Sequence, residues 1–563
     1  MRHVSRADRL ALTLALLPML VLGAASAALA QNTDWTSAGG DRVNSRHAKS
    51  ESAISPATAG GLAVRWKFDT DADVSATPSV DATSIYVPDW AGKLHRIDRA
   101  SGQALWSIDV TAITGPSFDG SLVISRTTPA LTGDKAIFGT QGSSFFGGSP
   151  YIVAVGRDDG QLLWKTLIDE TPFAIVTQSP VVYAGVVYVG LASAEEGIAD
   201  FVPYACCKFR GSVVALDAAT GAVLWKTYTV PPNEQPQDPT YAEYSGGGVW
   251  GSTVAVDPKR GLVYVTTGNN YSVPDHIAAC VAAAPTPELK EACLAPDDYI
   301  DAILALDMQT GAVEWAKRLG GADAWNVACL GIFGSAGNPS QCPDPAGPDY
   351  DFGQGASLFT VKLGRTKRDL VGAGQKSGVY WALDRDSGVT MWGTSVGPGG
   401  TLGGLQWGSA TDGERIYAAV SNNGHGPYAA PSPLAGTGSG GSWAALDAAT
   451  GGFVWQVRNA NPGLDAPYLP FVYDAVATAP MASANGVAFG CSMDGNGMLY
   501  AFDAASGAVL WSFASGGSCN AGPAIADGSV YWPTGYGRFG LGTGKIGPTT
   551  PRTGYTGIYA FGL

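Results

Sequence analysis

Charge is scarce in this chain of 563 residues: Asp, Glu, Lys and Arg together make up 15%, and only 34 residues are Lys or Arg. Against 48 acidic residues that leaves a formal charge of −14, so the basic footprint of a DNA-wrapping or phosphate-tracking protein is missing. An acidic surface suits a basic protein partner, although acidity by itself mostly serves solubility. Histidine is rarer still, at five, and no His cluster exists to hold zinc. No cysteine opens a Cys-x-x-Cys-His run, which excludes covalent haem c in this sequence. Beyond residue 30 no stretch offers about 18 uncharged apolar residues, so no later helix spans a membrane.

Apolar residues are not lacking. They make up 45% of the chain, with 16 Trp, 22 Tyr and 18 Phe, enough for a sizeable core and against global disorder. Length alone, at about 150 residues per domain, suggests three or four domains, a prior that large all-β folds break.

The first thirty residues read as a leader. Arg2, Arg6 and Arg9 precede an apolar run from Leu10 to Ala30, and Ala28-Leu29-Ala30 gives the small-x-small pattern of a cleavage site, with Gln31 as the mature start. The rival reading is a retained membrane anchor. No Cys follows the run, which argues against a lipoprotein. The expected mature chain, 31–563, is therefore periplasmic or secreted, with no membrane anchor once the leader is cleaved. Export permits disulfides, and all eight cysteines lie in that part. Cys280 with Cys293, Cys329 with Cys342, and Cys491 with Cys519 close local loops. Adjacent Cys206 and Cys207 are then left as their own strained pair, or as free or cross-paired thiols.

One phrase recurs: a short apolar strand, a turn with Gly, then a strand ending in Trp. LHRIDRASGQALW ends at Trp106, and further copies end at Trp164, Trp225, Trp315, Trp392, Trp455 and Trp511. Six of the seven spell the turn Asp-x-x-Ser/Thr-Gly, where Gly supplies a positive φ. Two more strands precede most copies, so each unit reads as a four-stranded antiparallel blade. The chain stops at GIYAFGL, half a phrase, and TAGGLAVRW near the start supplies the other half at Trp66. The expected fold is all-β: an eight-bladed β-propeller closed by pairing of its N- and C-terminal strands, with the eight tryptophans packed between blades.

Three long loops share one face. Leu191 to Arg210 carries Glu195, Glu196 and Cys206-Cys207; Asn269 to Ile300 carries two cysteines; Arg318 to Phe352 carries two more and Asp351. Glu195 and Asn269 follow equivalent strands of adjacent blades, and carboxylate and amide oxygens suit Ca²⁺ better than Zn²⁺.

The segments GLASAEEG (190–197), WGSTVAVDPKRGLVYVTTGNN (250–270), PDYDFG (348–353) and AGQKSGVYWALDRDSG (373–388) occur in the order found in pyrroloquinoline quinone (PQQ)-dependent alcohol dehydrogenases. Nearly all of the chain from about residue 35 onward resembles that family, and within it the polyvinyl-alcohol dehydrogenase branch. The resemblance implies PQQ and Ca²⁺ as cofactors, with Glu195 and Asn269 as cation ligands. It implies Asp351 as catalytic base and Lys376 at the reactive quinone carbonyls. Arg126 and Thr177 fall where the family binds cofactor carboxylates, and Gln406 where it places a carboxamide against the cofactor. Trp250 resembles the Trp that stacks on the quinone, but one extra residue separates it from Asp257. Cys206-Cys207 resembles the pair that covers the other quinone face, yet follows Glu195 in the same loop instead of lying a blade earlier. The implied reaction is oxidation of small or polymeric alcohols, with electrons leaving to a separate soluble cytochrome c. A non-enzymatic exported propeller acting as a binding scaffold explains the repeat but not this residue set.

Overall fold

In the computed structural model, residues 34–563 are described except 145–146, 202–203, 239, 332–336, 431–435, 439, 460–475, 495 and 537–555. The expected leader, 1–30, lies outside the described residues.

Eight antiparallel sheets of four strands follow one another along the chain, the third with an extra short strand, Ala174–Ile175. Their middle strands, such as Ser84–Pro88 and Val487–Cys491, are continuously buried and apolar because both faces pack against neighbouring blades. The outermost strands, such as Ala104–Asp109, are not fully buried and from Leu105 onward alternate exposed and half-buried positions. The last sheet joins Ala524–Ala526, Ser529–Thr534 and Gly557–Gly562 to Ala63–Asp69, with Ala63 opposite Gly562 and Asp69 opposite Gly557. The ring is thus closed by the two ends of the fold, as the divided phrase predicts.

The same local device recurs in every blade. Each outer pair shifts register by one residue near the Trp, at Ala215/Leu216, Ala305/Leu306 and Ala501/Phe502 for example, and again at Val64/Trp66 in the closing blade. The bulge turns the indole towards the next blade. There Trp106, Trp164, Trp225, Trp392 and Trp455 each donate to a main-chain carbonyl just after the neighbouring hairpin's third strand, at 3.0–3.2 Å. Trp511 donates to Leu62 O at 2.8 Å, the N-terminal segment standing in for the missing turn. Trp315 is the exception: its indole N–H is unpartnered, and the Arg385 carbonyl in that place accepts from the Tyr264 hydroxyl instead. The turn glycine has two jobs. Gly311 adopts φ +73°, and a Cβ there would lie 2.5 Å from the Trp225 ring.

The four expected disulfides all form, including Cys206–Cys207. Among the described residues no helix is long and apolar enough to cross a membrane.

Candidate functional site

The site is built where three successive blades leave their middle strands on the same face. Val186–Ser193 runs straight into a single helical turn, Glu195–Ile198, which carries both glutamates. Asn269 follows Leu262–Thr266, and Lys376 follows Thr366–Gly374. Asp351 reaches them from the disulfide-clipped loop, its carbonyl accepting the Lys376 N–H at 2.8 Å. Asp323 shapes that loop by accepting the N–H of Asp349 at 3.0 Å and of Tyr350 at 2.7 Å.

Asp351 is buried and held from three sides. One carboxylate oxygen accepts the Asn269 N–H at 2.6 Å; the other accepts the Trp250 indole at 2.8 Å and the Lys376 ammonium at 3.2 Å. This approach requires Gly268, where a Cβ would lie 2.8 Å from the carboxylate. Lys376 also donates to Asp349 at 2.8 Å. Burial alone would depress the Lys376 pKa, but Asp349, Asp351 and Glu196 outweigh it and hold it well above the ordinary value. Burial raises Asp349 far above the usual carboxylate range, with Asp351 and Glu196 adding repulsion against the relief from Lys376.

Carboxylate oxygens of Glu196, Asp349 and Asp351 lie within 4.8 Å of one another. Burial, with Asp351 and Asp323 nearby, pushes Glu196 up to about 8 despite Lys376. The amide oxygen of Asn269 is buried with no hydrogen-bond partner, although its amide nitrogen donates to Trp325 O at 2.9 Å. Three crowded carboxylates facing one ammonium, beside an orphaned amide oxygen, are a donor set that fits a hard cation.

Glu195, the ligand the resemblance implies, is engaged by its own loop. Its carboxylate accepts the Tyr204 hydroxyl and the N–H groups of Lys208 and Phe209, the latter two at 2.8 Å. Adjacent positions on a helical turn point about 100° apart, so only one glutamate can face Asp351, and it is Glu196. Cys206–Cys207 packs with Phe209 and Tyr271, and the Cys206 N–H donates to Gln341 at 3.1 Å.

A cleft of about 40 Å³ is lined by Arg126, Thr177 and Trp407, and also by Arg46, Ser179 and Asn520. The Thr177 hydroxyl is buried and unpartnered. Arg126 lies 4.8 Å above the Trp407 ring, and Trp407 meets Trp250 edge-on at 5.2 Å between centroids. The two tryptophans thus link the basic cleft to the acidic cluster. Gln406 is buried beside them, its amide donating to Gly403 O at 3.2 Å.

Sequence reasoning did not reach Asp349 or Arg46. Asp349 immediately precedes the recognisable Tyr-Asp-Phe, and its proximity to a cationic Lys was a usable signal only once Lys376 was placed. Arg46 precedes every repeat.

Residues 35–329 match the family described as glucose/ethanol/alcohol dehydrogenase, beta-propeller domain, and residues 439–540 the one described as outer membrane protein assembly factor BamB. The polyvinylalcohol dehydrogenase of a Pseudomonas species is 30% identical over 547 residues, spanning 92% of this chain and 75% of that one. That of Sphingopyxis sp. (strain 113P3) is 29% identical, spanning 84% and 68%. The solved quinohemoprotein alcohol dehydrogenase from Comamonas testosteroni shares the fold, with a TM-score of 0.67 at 19% identity over 94% of this chain and 80% of its own. With a propeller-family match over more than half its length and a relative 30% identical over 92% of this chain and 75% of its own, the chain belongs to the PQQ-dependent alcohol dehydrogenases.

Proposed function

We propose that this dehydrogenase is exported to the periplasm and uses Ca²⁺ with PQQ. In this reading it oxidises secondary alcohols, polyvinyl alcohol among them, to ketones and passes electrons to a soluble cytochrome c. The observation that carries the reading is Asp351, clamped by Trp250, Lys376 and the Asn269 N–H beside the Glu196 carboxylate and the orphaned Asn269 oxygen. PQQ, when bound, would supply the hydride-accepting chemistry, and a cation held by Glu196 and Asn269 would supply Lewis-acid activation. Asp351 takes the hydroxyl proton at a carboxylate oxygen. Lys376 stabilises negative charge developing nearby, and its pairing with Asp349 keeps it charged in a buried place.

Glu196 and Asn269 hold the cation beside Asp351 in this assignment, while Glu195 ties its loop to the Lys208–Phe209 backbone. Arg126 and Thr177 bind cofactor carboxylates, Trp250 and Gln406 border the ring, and Cys206–Cys207 walls the site behind Tyr271. The polymer enters through the names of the two polyvinylalcohol dehydrogenases, and export through the basic-apolar leader. A scaffold role is favoured only by the match at 439–540, which covers repeat units and leaves the Asp351 clamp without a task.

Protein reconstituted with PQQ and Ca²⁺ should reduce an artificial dye with polyvinyl alcohol and short secondary alcohols faster than with primary alcohols or sugars. No PQQ-dependent reduction with any alcohol would sink the enzymatic reading; a preference for primary alcohols would sink the substrate class.

A further inference from the structure

Arg46 is 2% exposed and carries a guanidinium with no carboxylate partner among the described residues. Its Nε is buried and unpartnered, and among the described residues the guanidinium's one hydrogen bond is a long 3.5 Å approach of Nη2 to Trp407 O. Burial lowers its pKa with no charge nearby to offset the effect. An isolated buried cation of this kind is among the costliest groups a fold can hold, and it persists where something anionic completes it.

The backbone holds Arg46 there deliberately. The residue takes φ +48°, its N–H donates to Gly39 O at 2.8 Å, and its carbonyl accepts the Ser483 N–H at 2.9 Å. Neighbouring Asn44 donates to Gly355 O and Ala356 O at 3.2 and 3.0 Å, lashing the same segment to a different blade. Gly408 leaves room for the side chain: a Cβ there would lie 2.5 Å from Arg46 Nε. Arg46 and Arg126 line the same cleft, and neither forms an ion pair with a described residue. Two unpaired guanidiniums and the free Thr177 hydroxyl converge on one space, which is therefore built for more than one negative charge.

We propose that Arg46 is a cofactor-positioning residue that takes a carboxylate of PQQ, a tricarboxylate, in the cleft it shares with Arg126. The inference rests on the PQQ reading above and adds to it a residue from outside the repeats. Arginine suits the task because its planar fork meets a carboxylate with two donors. In the free protein the guanidinium is a liability; in the complex it becomes a specificity element.

The test titrates full-length apoprotein with PQQ in the presence of Ca²⁺, following quenching of tryptophan fluorescence, and melts the same samples with and without PQQ. Arg46→Met keeps the length of the side chain and removes the charge. It should weaken PQQ binding about 10- to 100-fold, as expected for losing a charge-assisted pair. The apoprotein of the variant should melt at or above the parent temperature, and the rise on adding PQQ should shrink. Arg46→Lys should fall between the two. If Arg46→Met binds PQQ as tightly as the parent, the assignment of Arg46 is wrong while the cofactor assignment stands. The same holds if the apoprotein melts well below the parent with unchanged affinity, since Arg46 is then structural. A parent that takes up no PQQ would overturn the cofactor reading, and this one with it.

Discussion

The molecule uses aspartate in two opposite ways. At the rim, Asp217 sits in an exposed hairpin turn where one oxygen accepts the N–H of Ala219, the N–H of Thr220 and the Thr220 hydroxyl, at 2.8–3.0 Å. Asp307 repeats the arrangement with Gln309 and Thr310. Those donors, the hydroxyl foremost, hold both carboxyls below the usual range. Inside the site Asp301 has no such donors. Both oxygens of Asp301 are buried without one, and burial followed by repulsion from Asp323 raises its pKa far above normal. Rim carboxylates are completed by their own turn and need nothing further. Asp301 is left without donors, so its ionised form waits on a group from outside, whereas Asp351 is held by three. Function in this fold is therefore written in what the protein leaves unsatisfied.

The largest test of that contrast is Asp351→Asn. An amide keeps the size and can still accept from Trp250, but it cannot take a proton. Turnover with a saturating secondary alcohol should drop by roughly 10²–10⁴-fold. PQQ, measured by absorbance on the same preparation, should stay bound. Normal turnover in PQQ-loaded variant would remove Asp351 from the chemistry and leave it as a loop cap.

The two adjacent glutamates sharpen the comparison within one helical turn. Glu195 is completed by Tyr204 and two N–H groups, like a rim aspartate moved inside; Glu196 is not. Glu196→Gln should weaken Ca²⁺ binding by about 10²-fold while leaving the melting temperature of the apoprotein nearly unchanged or higher. Glu195→Gln should do the reverse, lowering that temperature because buried N–H groups lose their charged acceptor. Because Glu196 holds its proton up to about pH 8 without a cation, Ca²⁺ affinity in the parent should climb with pH and level off above that value. Calcium titrations of the parent and both variants at several pH values decide which glutamate is the ligand. Exchanged outcomes would return the role to Glu195.

These contrasts also explain what could be read from the sequence. The ring was legible because each hairpin encodes its own geometry: Asp and Ser or Thr fold the turn, Gly admits the neighbouring indole, and Trp fills the gap. Its closure was legible for the same reason, the unit being cut between its third and fourth strands and not lost. Disulfide pairing followed from short loops. Spacing could not choose between Glu195 and Glu196, because the choice depends on where the Lys208 and Phe209 N–H groups return. Nor could it find Arg46, whose position is set by backbone bonds to Gly39 and to Ser483, more than 400 residues away in sequence.

The smallest expected effect separates the two kinds of aspartate by the sign of their pH dependence. Asp298 is fully buried where the Cys280–Cys293 loop returns to its blade, one oxygen accepting the Asn270 amide at 3.2 Å and the other unpartnered. Burial raises its pKa from 3.8 to about 7, against the help of Asn270 and Arg318. The folded state therefore holds this proton more tightly than the unfolded chain. The stability it contributes is complete below about pH 4 and is lost as the pH rises from there to about 7. The gap between the two values corresponds to on the order of 4 kcal/mol at most. Asp298→Asn supplies a permanently neutral group of the same shape, so the variant should gain on the parent across that window and match it near pH 4. Asp217→Asn should behave in the opposite sense and by less, because a depressed, exposed carboxyl stabilises only where it is ionised. That variant should lose against the parent at neutral pH and converge with it as the pH falls towards 3. Melting curves for both variants and the parent between pH 3 and 8 measure the differences directly. Difference curves of the same sign, or flat ones, would mean that burial at Asp298 does not outweigh its two polar neighbours.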